Sequence, residues 1–171
     1  MTDMIGREEL VKTVLQAADG EIVGRIRLQK IFYLLEQLGM GGDIRFSYHH
    51  YGPYSEELSD AIDFAIKADK TVQEEAVKVE SGFYSIYRLS NPDEPAPPKL
   101  GNLPWAQARE CIRAMKAETS IVIELAATIH WLREKEDVPD WRKELKVRKP
   151  SKADDSRIAK ALDLLESTST D

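Results

Sequence analysis

The sequence predicts a mainly α (α+β) domain, a winged-helix-like core with a short antiparallel β-sheet followed by C-terminal helices. Three observations carry that prediction. Apolar residues recur at helical spacing over most of the chain, two strand-like segments meet at a glycine turn, and prolines gather between that hairpin and a second helical half. With 171 residues and 42% hydrophobic composition, the chain can close one real core. The expected layout is a core over 1–90, a proline-rich connector over 91–104 and a helical part over 105–171 packed on the core.

Helix one is predicted over Ile5 to Ala18, where Ile5, Leu10, Val11, Val14, Leu15 and Ala18 share a face and Gly20 follows as a stop. A turn spans Asp19 to Gly24. The next helix carries Ile26, Leu28, Ile31, Phe32, Leu34, Leu35 and Leu38 around nearly its whole circumference, so it is expected at the centre. Between Asp43 and Tyr51, Ile44, Phe46 and Tyr48 alternate with polar residues, as in a short strand ended by Gly52-Pro53. A helix is expected from Tyr54 to Lys67, with Ser55 as cap, Glu56 and Glu57 in the first turn, and Leu58, Ala61, Ile62, Ala65 and Ile66 facing in.

Val72 to Glu80 and Phe83 to Leu89 read as a hairpin around Ser81-Gly82, the natural wing. Prolines 92, 95, 97, 98 and 104 make the next stretch an extended connector. Helices then follow over Trp105 to Ala117, over Ile121 to Lys135 behind a Thr119 or Ser120 cap, and over about Ala153 to Leu165 before a fraying Ser/Thr tail. Leu28, Ile31, Phe32, Leu35, Leu58 and Ile62 are the expected core, with the second helix against the helix after Gly52-Pro53.

Composition narrows the function. The longest apolar stretch, Ile121 to Leu132, is interrupted by Glu124 and His130, so no membrane span is expected, and the charged N-terminus is unlike a signal peptide. A cytoplasmic location is the expectation. The single cysteine, Cys111, leaves no second thiol for an intrachain disulfide or a cysteine-zinc site. A net charge of -6 opposes general attraction to nucleic acid.

No catalytic motif, cofactor motif or metal motif is recognisable. Gly39, Gly41 and Gly42 form no phosphate loop, and His49 and His50 are adjacent, so on a strand they face opposite sides. Three local features point to binding instead. Glu57, Asp60 and Asp63 form an acidic helix face suited to a basic partner, although an ordinary solvated face has the same pattern. Tyr48, Tyr51 and Tyr54 surround Gly52-Pro53 and offer contact area to a protein, or packing to the core. Arg142, Lys143, Lys146, Arg148, Lys149 and Lys152 form a basic run that could touch DNA phosphates in a winged-helix regulator, or be a solvated linker.

Arg27-Leu28-Gln29-Lys30-Ile31-Phe32-Tyr33 followed by Tyr48-His49-His50-Tyr51-Gly52-Pro53-Tyr54-Ser55-Glu56-Glu57-Leu58 resembles the paired motifs of the SocA-like, or Panacea, antitoxin-associated superfamily, and most resembles its uncharacterised YwgA-like branch. Glu124 to Leu132 is similar to that branch as well. The resemblance implies a small helical scaffold with a short sheet and a direct protein partner, a cognate toxin or a protease component, in an antitoxin-like or proteolytic-adaptor-like role. No toxin-contact motif carries over, and the proline-rich 91–104 stretch departs from the pattern. A non-catalytic interaction module, possible also as a homodimer, is the resulting expectation, with a DNA-binding regulator as its alternative.

Overall fold

The computed structural model describes residues 6–168. Ile5, placed in the first helix by the sequence, and Ser169 to Asp171 of the expected tail lie outside the described residues. The fold is mainly helical with small antiparallel sheets, as the composition of the segments predicts.

The chain runs α1 (Arg7–Ala17), β1 (Glu21–Val23), α2 (Arg25–Gln37), β2 (Ser47–His49), β3 (Gly52–Tyr54), α3 (Glu56–Lys67), β4 (Val72–Val79) and β5 (Gly82–Leu89). Its second half holds β6 (Lys99–Leu100), β7 (Leu103–Pro104), α4 (Trp105–Ala117), α5 (Ser120–His130), a π-helical turn (Trp131–Lys135), α6 (Trp141–Arg148) and α7 (Asp155–Ser167). Side-chain caps fix four starts: Ser55 accepts from Leu58 N, Thr119 from Val122 N, Asp140 from Lys143 N and Asp154 from Arg157 N.

The central sheet has the order β1-β5-β4, so the wing hairpin is joined at its base by a strand from between the first two helices. Glu21, Ile22 and Val23 pair with Arg88, Tyr87 and Ile86. The sequence shows only a turn there, because three residues between glycines are too few to display alternation. A second correction concerns Gly52-Pro53. It does not end a strand but forms the return of a hairpin, with Ser47, Tyr48 and His49 opposite Tyr54, Pro53 and Gly52. Proline lacks an N–H, yet an edge strand tolerates it. Helix α3 consequently starts at Glu56, after the strand.

The six residues expected in the core are all fully buried. Their arrangement differs from expectation: α3 packs chiefly on α1, while α2 packs chiefly on α5. Helix α2 is buried on nearly every side, so it can serve the α5 face and still support the β2–β3 hairpin. The proline-rich 91–104 stretch is tied to the body rather than extended away from it. Leu100 and Leu103 pair across the β6–β7 hairpin and are buried, Asn102 N donates to the Met40 carbonyl at 2.8 Å, and Lys12 reaches Glu94 at 2.9 Å. Gly101, with φ 56°, is required because a Cβ there would sit 2.2 Å from the Met40 carbonyl oxygen.

Candidate functional site: a hairpin pinned over a buried lysine and glutamate cluster

A hairpin of three residues per strand has too little ladder to stand alone. The β2–β3 hairpin is held from beneath by side chains of α2 and of the residue that ends α6. Gln29 Nε2 donates to the Ser55 carbonyl at 2.9 Å and Gln29 Oε1 accepts from Ser55 N at 2.9 Å, so one buried amide satisfies both polar groups of one peptide position. Lys30 Nζ donates to the Pro53 carbonyl at 2.6 Å. Lys149 Nζ donates to the His50 carbonyl at 2.9 Å. Gly52 has φ 93°, and a Cβ on it would lie 2.7 Å from Thr128 Oγ1, so no other residue lets the hairpin settle this closely on α5.

These anchors share a charge cluster. Glu124, 3% exposed within the apolar helix α5, meets Lys149 at 3.0 Å and Lys152 at 3.1 Å. Lys30 is 1% exposed, and burial pushes its ammonium down to about 8; nearby Glu124 opposes that shift, while Lys149 and Lys152 add to it. Its amine is bonded to a carbonyl and closed to solvent. Anchoring the hairpin is therefore the chemistry open to Lys30 here.

Above the anchors lies a display surface. Tyr51 is 45% exposed, and the Lys152 ammonium sits 4.9 Å from its ring. His50 meets Tyr51 edge-on at 4.9 Å, and His49 lies 5.0 Å from the Tyr54 ring. Together with Arg25, Ile26, Gln29 and Lys30, residues His49, His50, Tyr51 and Tyr54 line a mainly apolar cavity of about 320 Å³. Tyr48 points the other way, into an aromatic stack: Arg148 lies over its ring at 4.8 Å and Trp131 at 6.2 Å. The three tyrosines singled out in the sequence thus divide, Tyr51 and Tyr54 onto the cavity and Tyr48 into packing.

The acidic face of α3 is largely engaged within the chain. Glu57 pairs with Arg7 at 2.7 Å and with Arg45 at 3.3 Å, and Asp63 pairs with Arg25 at 3.0 Å. Arg25 also donates to Tyr87 Oη and Ser59 Oγ, both at 2.8 Å, so Asp63 helps to orient a bridge from α2 to the wing. Asp60 is exposed.

The basic run is neither a free patch nor a linker; its first five residues, Arg142 to Lys149, lie in α6 or at its end. Arg148 is bidentate on Glu136 at 2.7 and 2.8 Å and reaches Glu144 at 2.9 Å, which raises its pKa further. Lys146 pairs with Asp155, Lys149 is buried and Lys152 holds Glu124. Arg142 lies over the Trp141 ring at 5.1 Å, and Lys143 contributes its backbone N–H to the Asp140 cap. Sequence reasoning missed Gln29, Lys30 and Glu124 as a unit. The one visible signal was a carboxylate interrupting the most apolar helix, which demands a buried partner.

Among the described residues, no helix is long and apolar enough to cross a membrane. Cys111 is buried, and burial pushes its thiol up.

No protein-family model matches the chain. It is 29% identical over 147 residues to a DNA ADP-ribosyl glycohydrolase of Thermus aquaticus, an alignment that takes in 81% of this chain but 39% of that enzyme. Over 148 residues, 86% of this chain and 87% of the other, it is 28% identical to YwgA, an uncharacterised protein of Bacillus subtilis.

Proposed function

We propose that the chain is a protein-interaction module, antitoxin-like or adaptor-like, that receives its partner on the β2–β3 hairpin. The observation that carries this reading is the apolar cavity between Ile26, Tyr51 and Tyr54, built on a hairpin whose backbone is locked by buried Gln29, Lys30 and Lys149. A pocket already rigid before binding loses little freedom when a partner's side chain enters, and tyrosine and histidine rims supply contact area with few rotors. The resemblance to the SocA-like, or Panacea, superfamily supports the same reading, since its paired motifs are the residues that build this device. The order of α1, β1, α2, α3 and the β4–β5 wing, with β1 against β5, supports a winged-helix-like scaffold beneath it.

The alternative, a DNA-binding regulator using Arg142 to Lys152, has weaker support, because Lys146, Arg148, Lys149 and Lys152 are matched by carboxylates of the chain itself. The Thermus relative is named for an enzyme activity, and the alignment with this chain takes in 39% of it.

A photoreactive amino acid at position 51, in the native cell, tests the proposal. The expected result is one protein cross-linked reproducibly from position 51 and not from exposed Lys135, with the yield falling when Tyr54 is changed to serine. Cross-linking to nucleic acid, or to no recurrent protein, would overturn it.

A further inference from the structure

The wing presents a second surface, remote in chemistry from the tyrosine cavity. Strand β1 covers β5 only from Ile86 to Arg88, whereas β4 follows β5 along its full length from Gly82 to Leu89. Beyond β1, the side of β5 turned away from β4 is open. Gly24 N donates to the Ser85 carbonyl at 2.7 Å, which shows that Ser85 turns its polar groups to this side, and by the period of two Phe83 does the same. Among the described residues, no backbone partner is recorded for Phe83 on that side.

A groove of about 570 Å³ runs along this open edge, between Phe83 to Ile86 on one wall and the first turn of α2 on the other, and its lining is mainly apolar. Phe83 is 72% exposed, with Val79 and Tyr84 also exposed beside it. Arg27 stands at the groove. Its Nη1 and Nη2 donate to the carbonyls of Val23 at 3.3 Å and Glu118 at 3.0 Å, its buried Nε has no partner, and no described carboxylate pairs with it. Its neighbour Arg25, by contrast, is matched by Asp63. The groove therefore joins three unmet demands: an unpaired strand edge, exposed aromatic area and an uncompensated cation.

We propose that this groove binds an extended acidic segment of a partner protein, which adds as a strand beside Phe83, lays an apolar side chain on the Phe83 ring, and sets a carboxylate on Arg27. Strand addition supplies main-chain hydrogen bonds, and the alternate side chains supply selection. Charge favours a peptide over nucleic acid. Glu74, Glu75 and Glu80 outnumber Lys78 and Arg88 on or next to the same hairpin, so a polyanion laid along the wing would meet a net repulsion that a single carboxylate at Arg27 avoids.

Panning a library of random dodecapeptides against the full chain reads this directly. The expected enrichment is an acidic residue within two or three positions of an aromatic or aliphatic one. Binding of synthesised hits, followed by fluorescence anisotropy, should weaken at least tenfold in Phe83→Ser, whose exposed position leaves the fold intact, and in Arg27→Gln. It should be unchanged in Tyr51→Ser, which separates this surface from the hairpin cavity. Hits without acidic residues, equal binding to the Phe83→Ser protein, or loss of binding in Tyr51→Ser would each overturn the proposal. So would a wild-type dimer in sedimentation that Phe83→Ser dissolves, because the groove would then hold a second copy of the chain.

Discussion

The wing and the β2–β3 hairpin are stabilised in opposite ways. The wing, β4–β5, has eight residues per strand and an antiparallel ladder over its whole length, and only its base is braced, by β1 and by the Arg25 bridge to Tyr87. The β2–β3 hairpin has three residues per strand, yet buried side chains from α2 and the end of α6 grip its backbone carbonyls. A long ladder can carry exposed apolar residues at its tip without outside help, whereas a short one is ordered only by desolvated partners beneath it. The short hairpin should therefore be sensitive to distant substitutions and the long one tolerant of local ones.

The largest test of that contrast is Glu124→Ala. It leaves Lys149 and Lys152 without their carboxylate, and breaking a buried pair costs about 3 to 5 kcal/mol, so urea unfolding should shift by much of the domain's stability. If the variant unfolds at the wild-type urea concentration, the hairpin is not held by the charge cluster.

Lys30 sharpens the same point through pH. Its pKa is about 8 in the folded chain against an ordinary 10.5, so between those values the unfolded chain keeps a proton that the folded chain has released. Stability contributed by this site must then rise with pH across about 8 to 10.5, by at most about 3 kcal/mol. Lys30→Met removes the titration; the gap in unfolding free energy between the two proteins should widen in favour of wild type over that window. A gap independent of pH would show that Lys30 is not desolvated.

Gln29→Ala strands the Ser55 N–H and carbonyl in a buried place and should cost about 2 kcal/mol in chemical denaturation. Serine at Phe83 is expected to change stability by less than about 0.5 kcal/mol, since that side chain is mostly in water. On the acidic face, Asp60→Lys should be similarly silent in thermal melts, whereas Asp63→Lys should lower the melting temperature measurably, because it disrupts the Arg25 bridge. Equal effects at the two positions would mean that the bridge contributes nothing.

What the sequence made legible follows from range. Helix α4 begins and ends where local spacing puts it, the Ser55 cap is correctly anticipated, and of the two candidate caps Thr119 and Ser120 the first serves α5, because each depends on a few adjacent residues. The wing strands are long enough for their turn to identify them. Strand β1 escaped because its pairing with Tyr87 lies far along the chain, and the Pro53 return escaped because a proline looks like a terminator in isolation. The basic run was the deepest misreading of position. A row of lysines and arginines has the pattern of a wet surface, and only the fold shows that Lys149 points at Glu124 and His50. Of the candidate site, Tyr51 and Tyr54 were visible as residue types; the cavity between them and Arg25, Ile26 and Lys30 was not.

The bond from Lys149 to the His50 carbonyl spans 99 residues, and Glu124 lies between the two in sequence. Local turns close in microseconds, but contacts of such separation wait on chain closure and raise the barrier to folding. On a ribosome the Tyr48 to Tyr54 loop emerges long before Glu124 and Lys149 have been synthesised. Its final geometry is therefore a late event, reached after the N-terminal helices and the wing can already have formed, and the hairpin cavity takes shape only once synthesis has passed Lys149.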